Sequence, residues 1–181
     1  MTGAPLSRER VLLIGMMGAG KTSVGNALAR ATGWPFLDND ELVERATGTT
    51  AKAIQEERGE VALRDAEAGA LVEGLKVPPP AIVDVAGGIV TRAEDVQRLR
   101  GVGEDGTGLV VWLRARVETL AQRVGTGAGR AWLRDDPEAA LRRLYEGREQ
   151  LYEEVAGYIV DVDDITPEQV ADRILAQFRQ G

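Results

Sequence analysis

The sequence predicts an α/β protein, a three-layer α/β/α arrangement with a five-stranded parallel sheet. Three observations carry that expectation. The run Val11-Leu12-Leu13-Ile14 leads directly into Gly15-Met16-Met17-Gly18-Ala19-Gly20-Lys21-Thr22, which matches the P-loop pattern G-x-x-x-x-G-K-[ST] at every specified position. Short apolar runs then alternate with segments of helical period along the whole chain. Hydrophobic residues make up 44% of the 181 while aromatics make up 4%, so the core must be mostly Leu, Val, Ile and Ala packed between helices and sheet.

The elements follow in order. Val11 to Ile14 has no polar alternation, as suits a strand covered on both faces. Residues 21–32 place Val24, Ala27, Leu28 and Ala31 at helical spacing, with Gly33 as a stop signal. Pro35-Phe36-Leu37 is a second short strand ending at Asp38-Asn39-Asp40. A helix is expected over 41–46, and Thr50 is a candidate cap for another that Gly59 interrupts. Residues 60–76 carry a further helical period, which Pro78-Pro79-Pro80 ends. Ala81-Ile82-Val83-Asp84-Val85 is the third strand, followed by Gly87-Gly88. A helix over 92–100 gives way to a mobile-looking glycine-rich run over 101–108. Leu109-Val110-Val111-Trp112-Leu113 is the fourth strand, and Val117, Leu120, Ala121 and Val124 mark the next helix. Gly125-Thr126-Gly127-Ala128-Gly129 reads as a lid or hinge. One helix is expected from Pro137 to Val155, then a fifth strand at Tyr158-Ile159-Val160 and a last helix opened by Thr166-Pro167-Glu168. No repeat or long linker divides the chain, so residues 1–181 are read as one domain.

Composition narrows the chemistry. The net charge is -7, from 22 basic and 29 acidic residues, and the basic ones are scattered rather than gathered in a stripe. A nucleic-acid partner is therefore not expected. The chain has no Cys and no His, so thiolate chemistry is excluded and any catalytic base is a carboxylate, Lys or Tyr. The N-terminus lacks a basic segment followed by a long apolar core, and no stretch approaches the length of a membrane span. A cytoplasmic protein, acting as a monomer without a membrane partner, is expected.

In the glycine-rich loop, backbone N–H groups can converge on phosphate oxygens at the positive end of the following helix. Gly18, Ala19, Gly20, Lys21, Thr22 and Ser23 are the nucleotide-binding candidates, with Lys21 reaching the β- and γ-phosphates and Thr22 ligating Mg²⁺. A bland turn explains the glycines but not the Lys-Thr pair in this register. Strand ends are where such sheets bind ligands. Asp38 and Asp40 lie there, one able to hold Mg²⁺ through water and the other to accept a hydroxyl proton. A helix cap plus a first-turn acid is the alternative reading of this pair. Arg64 and Glu67, at i and i+3, read by themselves as a solvated ion pair. Arg123, Arg130 and Arg148 stand around or after the glycine-rich break, where a closing lid brings them over phosphates. Arg116, Arg134, Arg142 and Arg143 have a bland explanation as solvated helix charges.

With these residues in view, the chain resembles the shikimate kinases over about residues 10–174. Gly15 to Thr22 is similar to that family's P-loop, and Phe36-Leu37-Asp38-Asn39-Asp40 to its Asp-Thr-Asp segment. Leu63-Arg64-Asp65-Ala66-Glu67 resembles its Phe-Arg-x-x-Glu, and Ala86-Gly87-Gly88 falls on its glycine triplet. The resemblance implies a P-loop kinase fold with a mobile lid at about 123–136 and substrate-binding helices at about 41–76. It implies ATP and Mg²⁺ as cofactors and shikimate, phosphorylated at its 3-hydroxyl, as the small-molecule acceptor. It assigns Asp38 to Mg²⁺ and Asp40 to shikimate and its reacting hydroxyl. Arg64 becomes a carboxylate clamp oriented by Glu67, with Arg148 the second clamp. Gly87 and Gly88 contact the ring, Arg130 is the lid arginine, and Arg123 packs on adenine.

Five departures accompany the likeness. Ala86 stands for the first glycine of the triplet, and Leu63 for Phe. The lid reads Arg130-Ala131-Trp132-Leu133 rather than Arg-Pro-Leu-Leu, and the run over 101–108 is longer than the family's turn. Asp84 also occupies a place where a small polar residue is usual, in an otherwise apolar strand, and is read as a further Mg²⁺-associated acid. Its bland reading is a strand-end carboxylate bonded to P-loop N–H groups. Two alternatives stay open at this point. One is a kinase for a related cyclitol, polyol or sugar acid, and the other a non-catalytic nucleotide-binding protein.

Overall fold

The computed structural model describes residues 9–125 and 136–178. Among these, five strands form one sheet: β1 (Arg10–Ile14), β2 (Phe36–Leu37), β3 (Ala81–Asp84), β4 (Leu109–Arg114) and β5 (Tyr158–Asp161). They lie in the order β2-β3-β1-β4-β5, with every neighbouring pair parallel. This is the expected fold class. β1 is buried at all five positions, which is why its sequence shows no alternation. Helices supply the crossovers: α1 (Lys21–Thr32), α2 (Asn39–Thr47), α3 (Ala51–Lys76), α4 (Ala93–Glu104), α5 (Val117–Val124), α6 (Pro137–Glu146), α7 (Glu149–Val155) and α8 (Pro167–Phe178). The chain runs from β1 outward to β2 and back to β3 on one side of β1 and then crosses to β4 on the other, so the crevice at the C-terminal end of β1 is where a ligand fits.

Local chemistry sets the element ends. Gly20 (φ 93°) turns the chain into α1, and Gly33 (φ 73°) closes it with its N–H on the Ala29 carbonyl. Asp38 caps α2 by accepting from Asp40 N at 2.8 Å and Glu41 N at 3.4 Å. Thr50 caps α3 through the N–H of Ala53. Within α3, Gly59 sits at φ 84°, ψ -179°, a region essentially closed to other residues, so two helical stretches meet there as the sequence suggested.

The main core joins the sheet to the flanking helices, with Leu12, Leu13, Leu28, Ile82, Val111 and Trp112 among its members. A smaller cluster of Leu42, Val43, Ile54, Leu63 and Ala70 binds α2 to α3.

Two expected boundaries change. The helix expected over 92–100 runs on to Glu104, into the glycine-rich run. Burial of Val102, and the acceptance of the Thr107 and Gly108 N–H groups by its carbonyl, hold that run in place. The single helix expected from Pro137 to Val155 is two, because the chain leaves helical geometry at Arg148 (φ -125°, ψ -18°). That break turns Arg148 toward the glycine loop after β3. The greater part of the expected lid, with Arg130, Trp132 and Arg134, lies outside the described residues.

Candidate active site

The P-loop, the acids after β2 and β3, and the arginines of α3 and α7 meet in one cleft of about 710 Å³. Gly18, Gly20, Lys21, Thr22 and Ser23 line its donor end, while Asp40, Arg64, Glu67, Gly87, Gly88 and Arg148 line its acceptor end. Ala19 is buried beneath the loop, where its N–H donates to the Met16 carbonyl at 3.1 Å. Lys21 Nζ donates to the Gly15 carbonyl at 3.2 Å, which folds its side chain back over the loop.

Thr22 Oγ1 lies 3.4 Å from Asp38 Oδ2 and 3.4 Å from Asp84 Oδ2. Asp38 therefore caps α2, as one of its readings expected, and also faces the Thr22 hydroxyl of the P-loop. Asp84 is 8% exposed, and its Oδ1 has no hydrogen-bond partner. Lys21 Nζ stands 4.0 Å from that oxygen. Burial pushes the Asp84 carboxyl up to about 6, against the pull of Lys21 and with Asp38 and Asp40 adding to the rise. Asp84 thus bonds the Thr22 side chain, not the P-loop N–H groups of its bland reading.

Among the described residues, no group of three or more carboxylates is placed to cage a metal ion. The set fits Mg²⁺, which binds through one or two protein carboxylates while water and substrate phosphates fill its other positions. The orphaned oxygen of Asp84 beside the Thr22 hydroxyl is the observation that supports this fit.

At the acceptor end, Arg64 pairs with Glu67, which is 7% exposed, and with Glu60 at 3.2 Å. The pair is built into the cleft wall and is not the solvated pair that spacing alone suggested. Burial works against the Arg64 charge, and Glu67 and Glu60 outweigh it and hold its pKa above the ordinary value. Gly88 packs against the guanidinium so closely that a Cβ there would lie 2.1 Å from Arg64 Nη1. Arg148 Nη1 donates to the Gly87 carbonyl at 3.4 Å, and the buried Tyr152 hydroxyl donates to the same oxygen at 2.5 Å. Asp40 is exposed in the cleft, and Asn39 Nδ2 donates to its Oδ1 at 3.3 Å.

Arg123 donates to the carbonyls of Val162 at 2.7 Å, Gly18 at 3.4 Å and Asp163 at 3.4 Å, so it ties the P-loop to the segment after β5. Of the arginines given a bland reading, Arg116 and Arg142 are solvated ion-paired side chains, on Asp163 and Asp164 and on Glu118 and Glu138 respectively. Arg143 instead lines the cleft. Glu60 was missed as a cleft residue and Tyr152 as a partner of Gly87, although they stand four residues from Arg64 and Arg148 respectively, the spacing that brings side chains together on a helix.

A family model described as shikimate kinase matches residues 17–179. The shikimate kinase of Thermodesulfovibrio yellowstonii is 34% identical over 176 residues, covering 95% of this chain and 96% of its own. That of Ruegeria pomeroyi is 38% identical over 175 residues, covering 96% and 87%. Among solved structures, shikimate kinase from Acinetobacter baumannii in complex with shikimate superposes with a TM-score of 0.86 at 35% identity, covering 97% of this chain and 95% of its own. With its parallel sheet, its P-loop and two arginines facing a glycine loop in one cleft, the chain belongs to the shikimate kinase family.

Proposed function

We propose that this protein transfers the γ-phosphoryl group of ATP to the 3-hydroxyl of shikimate, with the site residues acting as follows. The observation that carries the reading is that one cleft joins a complete P-loop to two arginines, Arg64 and Arg148, set beside Gly87 and Gly88. Planar guanidinium groups grip a carboxylate through paired N–H donors, and the absent side chain of Gly88 lets the Arg64 guanidinium lie against the glycine loop.

The P-loop N–H groups and Lys21 hold the phosphates, and Thr22, Asp38 and Asp84 hold Mg²⁺. When bound, that ion would supply positive charge that offsets the negative charge developing on the phosphate oxygens. Asp40 orients the acceptor hydroxyl and takes its proton as the oxygen bonds to phosphorus and the bond to ADP breaks. Lys21 stabilises the transferring group, joined by Arg130 in the role that the resemblance implies. Arg123 flanks the adenine. The reading takes the protein as a monomeric kinase domain with 41–76 as its acceptor side and 123–136 as its lid. Lid closure excludes water, the competing acceptor.

The test is ADP release with and without shikimate, on the wild type and on Lys21→Met. Shikimate-stimulated release that falls by at least about a hundredfold in the variant is expected. Absence of stimulation by shikimate, with stimulation by quinate, gluconate or a neutral cyclitol, would refute the acceptor assignment.

A further inference from the structure

We propose that Asp84 makes the nucleotide site discriminate against metal-free nucleotide, so that the protein takes up its nucleotide as the magnesium complex. The inference rests on the reading of Thr22, Asp38 and Asp84 as the magnesium cradle, and it adds a specificity that this cradle alone does not require.

Two carboxylates face the phosphate loop at the donor end of the cleft. Asp84 and Asp38 both approach the Thr22 hydroxyl at 3.4 Å, and that hydroxyl has a single proton to donate. One carboxylate is therefore always left without it. Asp40 adds a carboxylate from the acceptor end of the same cleft. Facing them, Lys21 Nζ is 4.0 Å from Asp84 Oδ1 and already donates to the Gly15 carbonyl. Arg123, the nearby guanidinium in the cleft lining, is engaged by three backbone carbonyls.

Asp84 is the decisive member because it is buried at the end of β3, lines the cleft, and has one oxygen with no hydrogen-bond partner. A diphosphate placed on the P-loop brings its oxygens to Lys21, and hence toward that unpartnered oxygen in a poorly solvated wall. Like charges there repel with little screening. A divalent cation between them turns the same oxygen from a source of repulsion into a ligand-side acceptor. An exposed carboxylate would do neither strongly, since water would screen it.

The experiment is calorimetric titration of ADP into the wild type, Asp84→Asn and Asp84→Ser, each in EDTA and in excess Mg²⁺, with thermal melting to confirm folding. The wild type should bind metal-free ADP on the order of tenfold more weakly than the Mg²⁺ complex, and both variants should tighten metal-free binding by about that factor. Unchanged metal-free affinity in both folded variants overturns the proposal. If that occurs while Mg²⁺-ADP binding weakens, the cradle survives and the discrimination falls. If metal-free binding tightens while Mg²⁺-ADP binding is unaltered, the discrimination stands and Asp84 leaves the cradle.

Discussion

The Tyr152 hydroxyl donates to the Gly87 carbonyl at 2.5 Å, from a side chain that is fully buried and stacked on Trp112 at 5.5 Å between ring centroids. Arg148, one helical turn before Tyr152, donates to the same oxygen. Gly87 in turn lies against the P-loop, since a Cβ there would approach the Gly15 carbonyl to 3.0 Å. Tyr152 is thus a positioning residue that fixes the acceptor loop relative to both the clamp arginine and the phosphate loop. Tyr152→Phe keeps the aromatic stack and deletes the bond. We expect a several-fold rise in KM for shikimate with kcat and KM for ATP nearly unchanged, and a stability loss of about 1 kcal/mol. A purely structural role would leave the shikimate KM untouched, and steady-state kinetics on both substrates decides between the two.

The same hydroxyl predicts an alkaline signature. Burial pushes the Tyr152 phenol up to about 12, above its value in the unfolded chain. The folded state therefore holds this proton more tightly. Its contribution to stability is complete below about pH 10 and is lost as pH rises toward 12. Wild-type melting temperature should fall more steeply across that window than that of Tyr152→Phe. Parallel profiles in the two proteins would show that Tyr152 titrates normally.

Two glycine substitutions should separate substrate binding from folding. A Cβ at Gly88 would meet Arg64 Nη1 at 2.1 Å and Cζ at 2.2 Å, the far end of a long side chain that can move. A Cβ at Gly25 would meet the ring of Phe36 at 2.2 Å, inside the packing of α1 on β2. Gly88→Ala is expected to fold, with Arg64 displaced and KM for shikimate raised about tenfold, the scale of losing part of a charge-assisted contact. Gly25→Ala is expected to lose about 1–3 kcal/mol of stability from overpacking, with KM unchanged in whatever protein remains folded. Chemical denaturation and kinetics on both variants test the pair, and a destabilised Gly88→Ala with normal KM would contradict it.

These contrasts also mark what could be read before the fold was seen. The P-loop, α1 and its two flanking glycines, and the apolar strands were legible because each is fixed by local rules: a phosphate-loop pattern, φ > 0 at Gly20 and Gly33, and burial on both faces of β1. The break at Arg148 was not, since its sequence is compatible with a continuous helix. α6 ends on Gly147, and the break lets Arg148 and Tyr152 reach Gly87, some sixty residues earlier in the chain. Asp84 was legible as an anomaly, a carboxylate in an apolar strand, and was grouped with Thr22 and Asp38, but its contact to the Thr22 hydroxyl was not legible, because it depends on how segments far apart in the chain pack. The same holds for Arg143, whose placement in the cleft follows from how α6 packs on α5 and not from its local sequence.

Arg64 offers the last test, because its two carboxylate partners are unequal. Glu67 is buried in the cleft wall, whereas the side chain of Glu60 is 69% exposed and reaches Arg64 from the solvent side at 3.2 Å. Both line the cleft, so on the proposed reading of Arg64 as a carboxylate clamp the substrate would compete with Glu60 for the outer N–H groups while Glu67 keeps the inner edge fixed. Glu67→Gln should raise KM for shikimate at least about tenfold and cost roughly 2 kcal/mol of stability, as expected when a buried charge pair loses one member. Glu60→Gln should change stability by less than about 1 kcal/mol, since the pair is largely solvated. It should also lower KM for shikimate about two- to threefold, because removing the competing charge leaves Arg64 to the substrate. Raising the salt concentration should shrink that difference. An increase in KM for Glu60→Gln would show that Glu60 positions Arg64 for the substrate and does not compete with it.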